Sequence, residues 1–332
     1  MKKTKVVCIG EALIDRIRNK SNKGFTDFLG GAPANVASAL RKMKIDSTFI
    51  GSVGNDDFGK RIIEQFNELE VNLDFLQLAN DSSTRIVNVE RDQSGDRFFS
   101  GFEPNPHSYF ADEALSMKLI KKELPNLEKC FLRTQYLVTG TNVLSSPISA
   151  EAIFFLLEQA NKFEIKVVID LNWREVFWDY SNFASDTIKK GRINLIKEFL
   201  NHAHVIKLAK EEATLFFELE NPFLISQQMS KRPDVIITDG GNPVSWQING
   251  LQGNTKIPYS QTIVDTTGAG DAFLAGLISQ LITFGYPTGE LEIQACVRFA
   301  SVCGLLTCQG EGAIEPQPDY EKVNKFLGSH IS

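Results

Sequence analysis

The 332-residue chain is poor in the residues that most often build metal and disulfide sites: it has four histidines, five cysteines and no CxxC pair. Cys8, Cys130, Cys296, Cys303 and Cys308 are odd in number and mostly lie in apolar runs, where a free thiol behaves as a small hydrophobe. The expectation is reduced, structural thiols in a cytoplasmic protein. His202-Ala203-His204 has no cysteine or carboxylate spacing around it that would complete a transition-metal site. Positive charge is not in excess either. The net charge is -6, which argues against nucleic acid or an anionic membrane as the main partner, because both require clustered Lys and Arg. Long apolar runs are missing. The run Val6–Gly10 behind the basic N-terminus is broken by Glu11 and Asp15, so neither a signal peptide nor a membrane span is expected. There is no Gly-Lys-Ser/Thr triplet for a Walker phosphate loop and no Gly-x-Gly-x-x-Gly after the first strand for a dinucleotide site.

What the chain does contain is alternation. Short β-rich runs at Val6–Gly10, Thr48–Val53, Tyr136–Gly140, Lys166–Asp170, His204–Leu208 and Asp234–Asp239 are separated by helical patterns. Those patterns lie near Val36–Met43, Phe58–Leu69, Ala150–Phe163, Ile188–Asn201 and Glu211–Leu219. Strands separated by helices predict right-handed crossovers and a mostly parallel sheet. Several of the runs are continuously apolar, as strands covered on both faces must be. One region breaks the rhythm: Thr84–Glu90 and Arg97–Phe99 are β-like and joined by the turn-rich Arg91–Asp96, which predicts a hairpin outside the parallel sheet. Asp15–Phe28 can pair with it to form a small β subdomain, read as a lid from about 12–28 and 84–108, because lids exclude water from group transfer. A surface hairpin with no role is the other reading. Length and pattern predict a single α/β domain.

The segment Asp265–Gly276 is the most informative. Phe273, Leu274, Leu277, Ile278, Leu281 and Ile282 recur at helical spacing, and Gly285 and Pro287 mark the stop. Gly268-Ala269-Gly270 therefore lies at a helix N-terminus, where minimal side chains let backbone amides approach an anion and the helix dipole favours negative charge. Asp271 falls in the first turn. It would repel a resting phosphate, which makes sense if it takes a proton from an attacking hydroxyl. As a plain helix-terminal charge it would instead complement the dipole.

Three further segments follow strand-like runs. Asp15, after Gly10-Glu11, can accept sugar hydroxyls at a strand end, or be a solvated turn residue. Gly30 and Gly31 allow backbone to approach a ligand, and the amide of Asn35 can both donate and accept, or simply cap its helix. In Asp170-Leu171-Asn172-Trp173-Arg174, Asn172 can hydrogen-bond nearby oxygens. Arg174 offers a guanidinium fork suited to phosphate, or a surface ion pair with Glu175.

Asp265–Gly276 resembles the C-terminal signature of the PfkB (ribokinase-like) carbohydrate kinases. Gly30–Ala37, followed by Gly51–Gly59, resembles the N-terminal one, and Asp170–Arg174 resembles the D-x-N-x-R motif of fructokinases and 2-keto-3-deoxygluconate kinases. The resemblance runs from Cys8 to about Pro316 and is strongest to the fructokinase branch. It implies a three-layer α/β/α fold with a β-sheet lid. It also implies transfer of the γ-phosphoryl group of ATP to a sugar hydroxyl, with fructose first among the acceptors. Asp271 would be the base, Gly268, Ala269 and Gly270 the anion hole, and Arg174 a cation on the phosphates. Asp15, Gly30, Gly31, Asn35 and Asn172 would line the sugar pocket. Lys207, Thr238, Gly240, Gly241, Gly268, Gly270, Ala300 and Cys303 would contact the nucleotide. The resemblance further implies Mg²⁺ brought by ATP, with Glu212 acting through water, and a K⁺ site near Asp265 and Thr267. Ala209 stands where the family's N-x-x-E motif commonly has Asn. A homodimer through the lid is also implied. The alternatives are a kinase for 2-keto-3-deoxygluconate, ribose or a nucleoside, and an inactive fructokinase-like scaffold. Gly101-Phe102-Glu103-Pro104-Asn105-Pro106-His107 stands where relatives often have an Arg and an Ala-Asp pair after the second lid strand.

Overall fold

Residue alternation along the first strand sets the architecture. In Val6–Ile9, Val6 and Cys8 point to one side and Val7 and Ile9 to the other, and all four are fully buried. A strand with no polar face must be covered twice. In the computed structural model, which describes residues 4–18, 24–91, 97–104, 109–178, 186–258 and 263–329, Val7 and Ile9 join a core with the Pro147–Lys162 helix. Val6 and Cys8 join one with Ala32–Lys42, Ala269–Phe284 and Glu290–Thr307. The result is three layers, helix on sheet on helix.

The central sheet has eight strands. Six are parallel, in the order Ser47–Ile50, Val6–Ile9, Tyr136–Gly140, Lys166–Asp170, Val205–Ala209, Asp234–Thr238. The last two, Val244–Ile248 and Leu251–Thr255, form an antiparallel hairpin at the edge. Its turn is Asn249-Gly250, both at positive φ, the sequence signature of a tight two-residue hairpin. The chain leaves Val6–Ile9 toward one edge and returns on its other side at Tyr136–Gly140. The strand order therefore reverses between these two neighbours, and such reversals open a crevice beyond the strands' C-terminal ends.

The expected run Thr48–Val53 is two strands. Ser47–Ile50 belongs to the large sheet, and Ser52–Gly54 pairs with Gln77–Ala79 in a separate ribbon. Gly51 makes the break, because a Cβ there would come within 2.5 Å of the Phe49 ring.

A four-stranded sheet stands apart, in the order Phe25–Gly30, Leu13–Arg18, Ile86–Arg91, Arg97–Glu103. Leu13–Arg18 joins its two hairpins by pairing in parallel with Ile86–Arg91. The turn at 92–96, the side chains of Arg91 and Arg97, and residues 105–108 lie outside the described residues. Arg85, at the foot of this sheet, is fully buried. Its guanidinium lies 3.0 Å from Asp112 and 3.2 Å from Glu113 and within 4.8 Å of the ring centres of Phe102, Phe110 and Phe177. A pair of carboxylates and three aromatic faces make this arginine a structural knot rather than a cation open to ligand. The histidines of His202-Ala203-His204 are likewise occupied: His204 Nδ1 accepts the amide of Val167 at 3.0 Å, and His202 packs edge-on to Phe154.

Candidate active site

The C-terminal ends of five parallel strands and the N-terminus of the Ala269–Phe284 helix converge on one cavity of about 560 Å³. From the strand ends come Glu11, Asn142, Asp170, Lys207 and Thr238; from the segments that follow come Asn172, Arg174 and Glu212. The small sheet contributes Leu13, Asp15, Ile17, Val87 and Val89. The floor is the helix N-terminus, with Gly268, Gly270 and Asp271.

That N-terminus has no side-chain cap, and Gly268 at its cap has φ +74, so its backbone alone forms the surface. A Cβ on Gly268 would come within 2.8 Å of Ala313, and one on Gly270 within 2.9 Å of Lys207 Nζ. The two glycines therefore let helix, loop and lysine close together. Asp271, in the first turn, accepts a hydrogen bond from Asn35 Nδ2 at 2.8 Å. Asn35 is itself fixed on the Ala32–Lys42 helix, whose carbonyl at this residue takes Gln317 Nε2. Asp271 is half-buried and lines the cavity. Burial, reinforced by the charge of Asp170, pushes its carboxyl up to about 6, while Asn35, Lys207 and Arg174 pull the other way. A carboxylate poised near neutrality beside a helix N-terminus has the properties of a general base.

Lys207 Nζ lies 2.8 Å from Asp170 Oδ2 and 3.1 Å from Oδ1. Burial opposes its charge, but Asp170, then Glu212 and Asp271, hold its pKa above the ordinary lysine value. It is a permanent cation beside Gly270. Glu212 accepts the amides of Trp173 at 2.6 Å and Ala209 at 2.8 Å. It thereby ties the Asn172–Arg174 turn, where Asn172 has φ +40, to the start of the Lys210–Phe217 helix. Arg174 is exposed, with Nη1 3.2 Å from the carbonyl of Trp173. Asp265 accepts the amide and hydroxyl of Thr267 through Oδ1, and the amide of Gly312 through Oδ2. This carboxylate clamps the loop ahead of the helix.

Asp15, Gly31, Asn35, Asn172, Arg174, Lys207, Glu212, Thr238, Thr267, Gly268, Gly270 and Asp271 thus share one wall or another of the cavity. Gly30 does not line it but backs Asp15: a Cβ there would meet Asp15 Oδ2 at 2.3 Å. Gly240 and Gly241 form an exposed turn beyond Thr238. Ala300 and Cys303, expected at the nucleotide, are fully buried where Glu290–Thr307 crosses Ala269–Phe284 against Gly276. Small residues there serve close helix packing, and neither lines the cavity. Glu11, Asn142 and Asp170 were not among the expected site residues. The first sits in the same strand-end run as Asp15, and Asn142 follows the apolar strand Tyr136–Gly140, which is the signal that could have found them. Burial, with Asp112 adding to it, pushes the Glu11 carboxyl up to about 7, against hydrogen bonds from its own amide, Asn142 and Ala32.

Among the described residues, no three His, Cys, Asp or Glu side chains gather as a metal cage, and no helix is long and apolar enough to cross a membrane. The pfkB family carbohydrate kinase model matches residues 3–320. The chain belongs to that family. It is a sugar kinase, and its fold is the ribokinase-like α/β fold. Among curated relatives, this pfkB kinase is 27% identical over 327 residues to the fructokinase of Salmonella typhimurium, covering 97% of this chain and 98% of the relative. It is 28% identical to the probable chloroplastic fructokinase-6 of Arabidopsis thaliana, over 97% and 82% of the two chains. Its structure matches that of the Xylella fastidiosa fructokinase with bound ATP at a TM-score of 0.86, 25% identity and full coverage of both chains.

Proposed function

We propose that this kinase transfers the γ-phosphoryl group of ATP to D-fructose, giving D-fructose 6-phosphate. The observation that carries the reading is Asp271: a carboxylate raised to about 6, anchored by Asn35, and set in the first turn of an uncapped helix that floors the cavity. Phosphoryl transfer needs an in-line hydroxyl, a base and neutralisation of charge on the equatorial oxygens. Asp271 accepts the hydroxyl proton. The amides of Gly268, Ala269 and Gly270 form the anion hole at the positive end of the helix dipole. Lys207 and Arg174 supply positive charge on the nucleotide side, with Thr238 near the phosphates. Asp15, Asn35, Gly31 and Asn172 hold the sugar, with Gly30 fixing Asp15. The small sheet that carries Asp15 acts as the lid, its apolar residues Leu13, Val87 and Val89 excluding water from the transfer. The fructokinase names of the relatives support fructose as acceptor.

Mg²⁺ fits this donor set only as an ion held mainly by phosphate and water. Both oxygens of Glu212 already accept backbone amides, leaving room for a water-mediated contact. When bound, it would neutralise phosphate charge. A K⁺ ion would sit against carbonyls of the loop that Asp265 and Thr267 brace. Five buried, unpaired thiols support a cytoplasmic, reducing location. The outer strands of the lid, Phe25–Gly30 and Arg97–Glu103, each have one unpaired edge in the described sheet, which supports a homodimer through the lid. Light scattering that gives a monomer at working concentration refutes the dimer.

The deciding experiment is ADP release from Mg-ATP over fructose, ribose, 2-keto-3-deoxygluconate, adenosine and fructose 6-phosphate. Fructose-dependent turnover that disappears in Asp271→Asn supports donor, acceptor and base together. Turnover with another acceptor overturns fructose and leaves the kinase chemistry standing.

A further inference from the structure

One buried guanidinium ties the small sheet to the cavity wall. Arg85 directly precedes the strand Ile86–Arg91, and its carbonyl accepts the amide of Ile14, the neighbour of Asp15, at 2.9 Å. Its side chain reaches three separate parts of the chain. These are Phe102 on the outer strand of the small sheet, Phe110 with Asp112 and Glu113 on the segment that follows, and Phe177. Of these, Phe177 lines the cavity, and its amide donates to the carbonyl of Arg174 at 3.0 Å. The Phe102 ring packs edge-on against Phe177 with centroids 5.4 Å apart, and against Phe110 at 5.7 Å.

Stability alone does not call for an arginine here. A buried ion pair is often no more stabilising than well-packed apolar side chains of the same volume. What a guanidinium adds is direction, because its plane orients the rings stacked on it and its fork orients the paired carboxylates. The carboxylate side is itself anchored. Glu113 Oε2 accepts the amide of Phe110 at 2.9 Å, and the Glu113 carbonyl accepts Oγ of Ser146, the cap of the Pro147–Lys162 helix, at 2.7 Å. The anchored carboxylates hold the guanidinium, and the guanidinium faces Phe102 and Phe177 together. The small sheet therefore cannot shift over the cavity without unstacking one of those rings.

We propose that Arg85 is a positioning residue for phosphoryl transfer. By stacking on Phe102 and Phe177 at once, it holds the small sheet against the turn that carries Arg174, and so sets how completely water is kept from the γ-phosphoryl group. The proposal rests on the reading of the cavity as a kinase site and of the small sheet as its cover. A water in the acceptor's place would form the new P–O bond while the bond to ADP breaks. The product would be inorganic phosphate, with one water proton taken by Asp271.

The test compares wild type with Arg85→Lys, Phe102→Leu, Phe177→Leu and the double variant Arg85→Lys with Phe177→Leu, each assayed well below its own melting midpoint. Three quantities are read: fructose 6-phosphate formed, ADP released with fructose, and ADP released from Mg-ATP without acceptor. Arg85→Lys keeps a cation for Asp112 and Glu113 but loses the plane; Phe102→Leu leaves the ion pairs and the cavity lining in place. The expected result is a fructose KM raised about tenfold in Arg85→Lys and about two- to tenfold in Phe102→Leu. ATP KM should stay within about twofold of wild type, and acceptor-free hydrolysis should rise as a share of kcat. The double variant should cost no more in fructose KM than the larger single change, because both act on one stack. Variants that melt lower yet keep wild-type fructose KM and acceptor-free hydrolysis reduce Arg85 to a structural role and overturn the proposal. Fully additive effects of Arg85→Lys and Phe177→Leu overturn the route through Phe177. A wild type that does not phosphorylate fructose overturns the acceptor reading instead. Acceptor-free hydrolysis then still decides, since equal rates across all the variants overturn the positioning role.

Discussion

Replacing Asp271 with Asn separates two consequences of the same burial. A carboxyl raised from 3.8 to about 6 has its ionised form disfavoured by about 3 kcal/mol, at about 1.4 kcal/mol per unit. Contact with cavity water screens part of this, leaving an expected penalty of about 1–2 kcal/mol. The sign follows from linkage. The unfolded chain releases this proton near 3.8 and the folded chain near 6. The folded state therefore holds the proton more tightly between those values, and stability falls as pH rises through that window. Above about 6 the penalty is complete. Asp271→Asn keeps an oxygen for Asn35 and removes the charge, so at pH 7.5 the variant should be the more stable. With about 2 cal/mol/K of unfolding entropy per residue, the 332-residue chain should gain about 2 °C in melting temperature. That gain should shrink as pH is lowered toward 4. Activity moves oppositely, with kcat dropping about 10²–10⁴-fold when the base is lost. Wild-type kcat/KM should decline about tenfold per pH unit below 6. Differential scanning calorimetry across pH, paired with coupled ADP assays, reads both. A variant less stable at pH 7.5, or one that keeps wild-type turnover, refutes the assignment.

Two other substitutions act through geometry. Gly30→Ala places a methyl 2.3 Å from Asp15 Oδ2; the displaced carboxylate should raise sugar KM by about 10–100-fold with ATP KM unmoved, and an unchanged sugar KM would show that Asp15 does not bind the acceptor. Arg85→Met strands the buried carboxylates of Asp112 and Glu113, which should lower stability by about 3–5 kcal/mol; an unchanged unfolding midpoint in urea refutes the knot.

The layers were legible because a strand covered on both faces has no room for polar alternation, and Tyr136–Gly140 and Lys166–Asp170 stand where the apolar runs put them. The Gly268–Asp271 turn was legible because a helix pattern and a glycine pair fix its place without any tertiary knowledge. The edge hairpin is signalled only by its Asn249-Gly250 turn, because its outer strand, Leu251–Thr255, is mostly exposed and lacks the apolar run of the parallel strands. What could not be read are the long-range partnerships. Asn35 reaches Asp271 across 236 residues, and Glu11 reaches Asn142 across 131. Local pattern carries no record of which loop ends the topology brings together. Nor does local pattern show that Arg85 is enclosed, because its aromatic neighbours Phe102, Phe110 and Phe177 lie elsewhere along the chain.

The cavity sets two carboxylates side by side and treats them differently. Asp170 shares its charge with Lys207, and Asp271 is held by a neutral amide. Asp170 raises the Asp271 pKa more than Lys207 lowers it. Lys207→Met alone therefore exposes Asp271 to an uncompensated neighbour and should move the acid limb of kcat/KM above 6. The double change Lys207→Met with Asp170→Asn removes the larger influence as well, and should return the limb to about 6 or below. Loss of the proposed phosphate contacts would lower the height of both profiles without moving the limb, so the pH at half-maximum isolates the electrostatic role. Superimposable acid limbs in the single and double variants would mean that burial alone sets the base, and that the lysine–aspartate pair serves the nucleotide and nothing else.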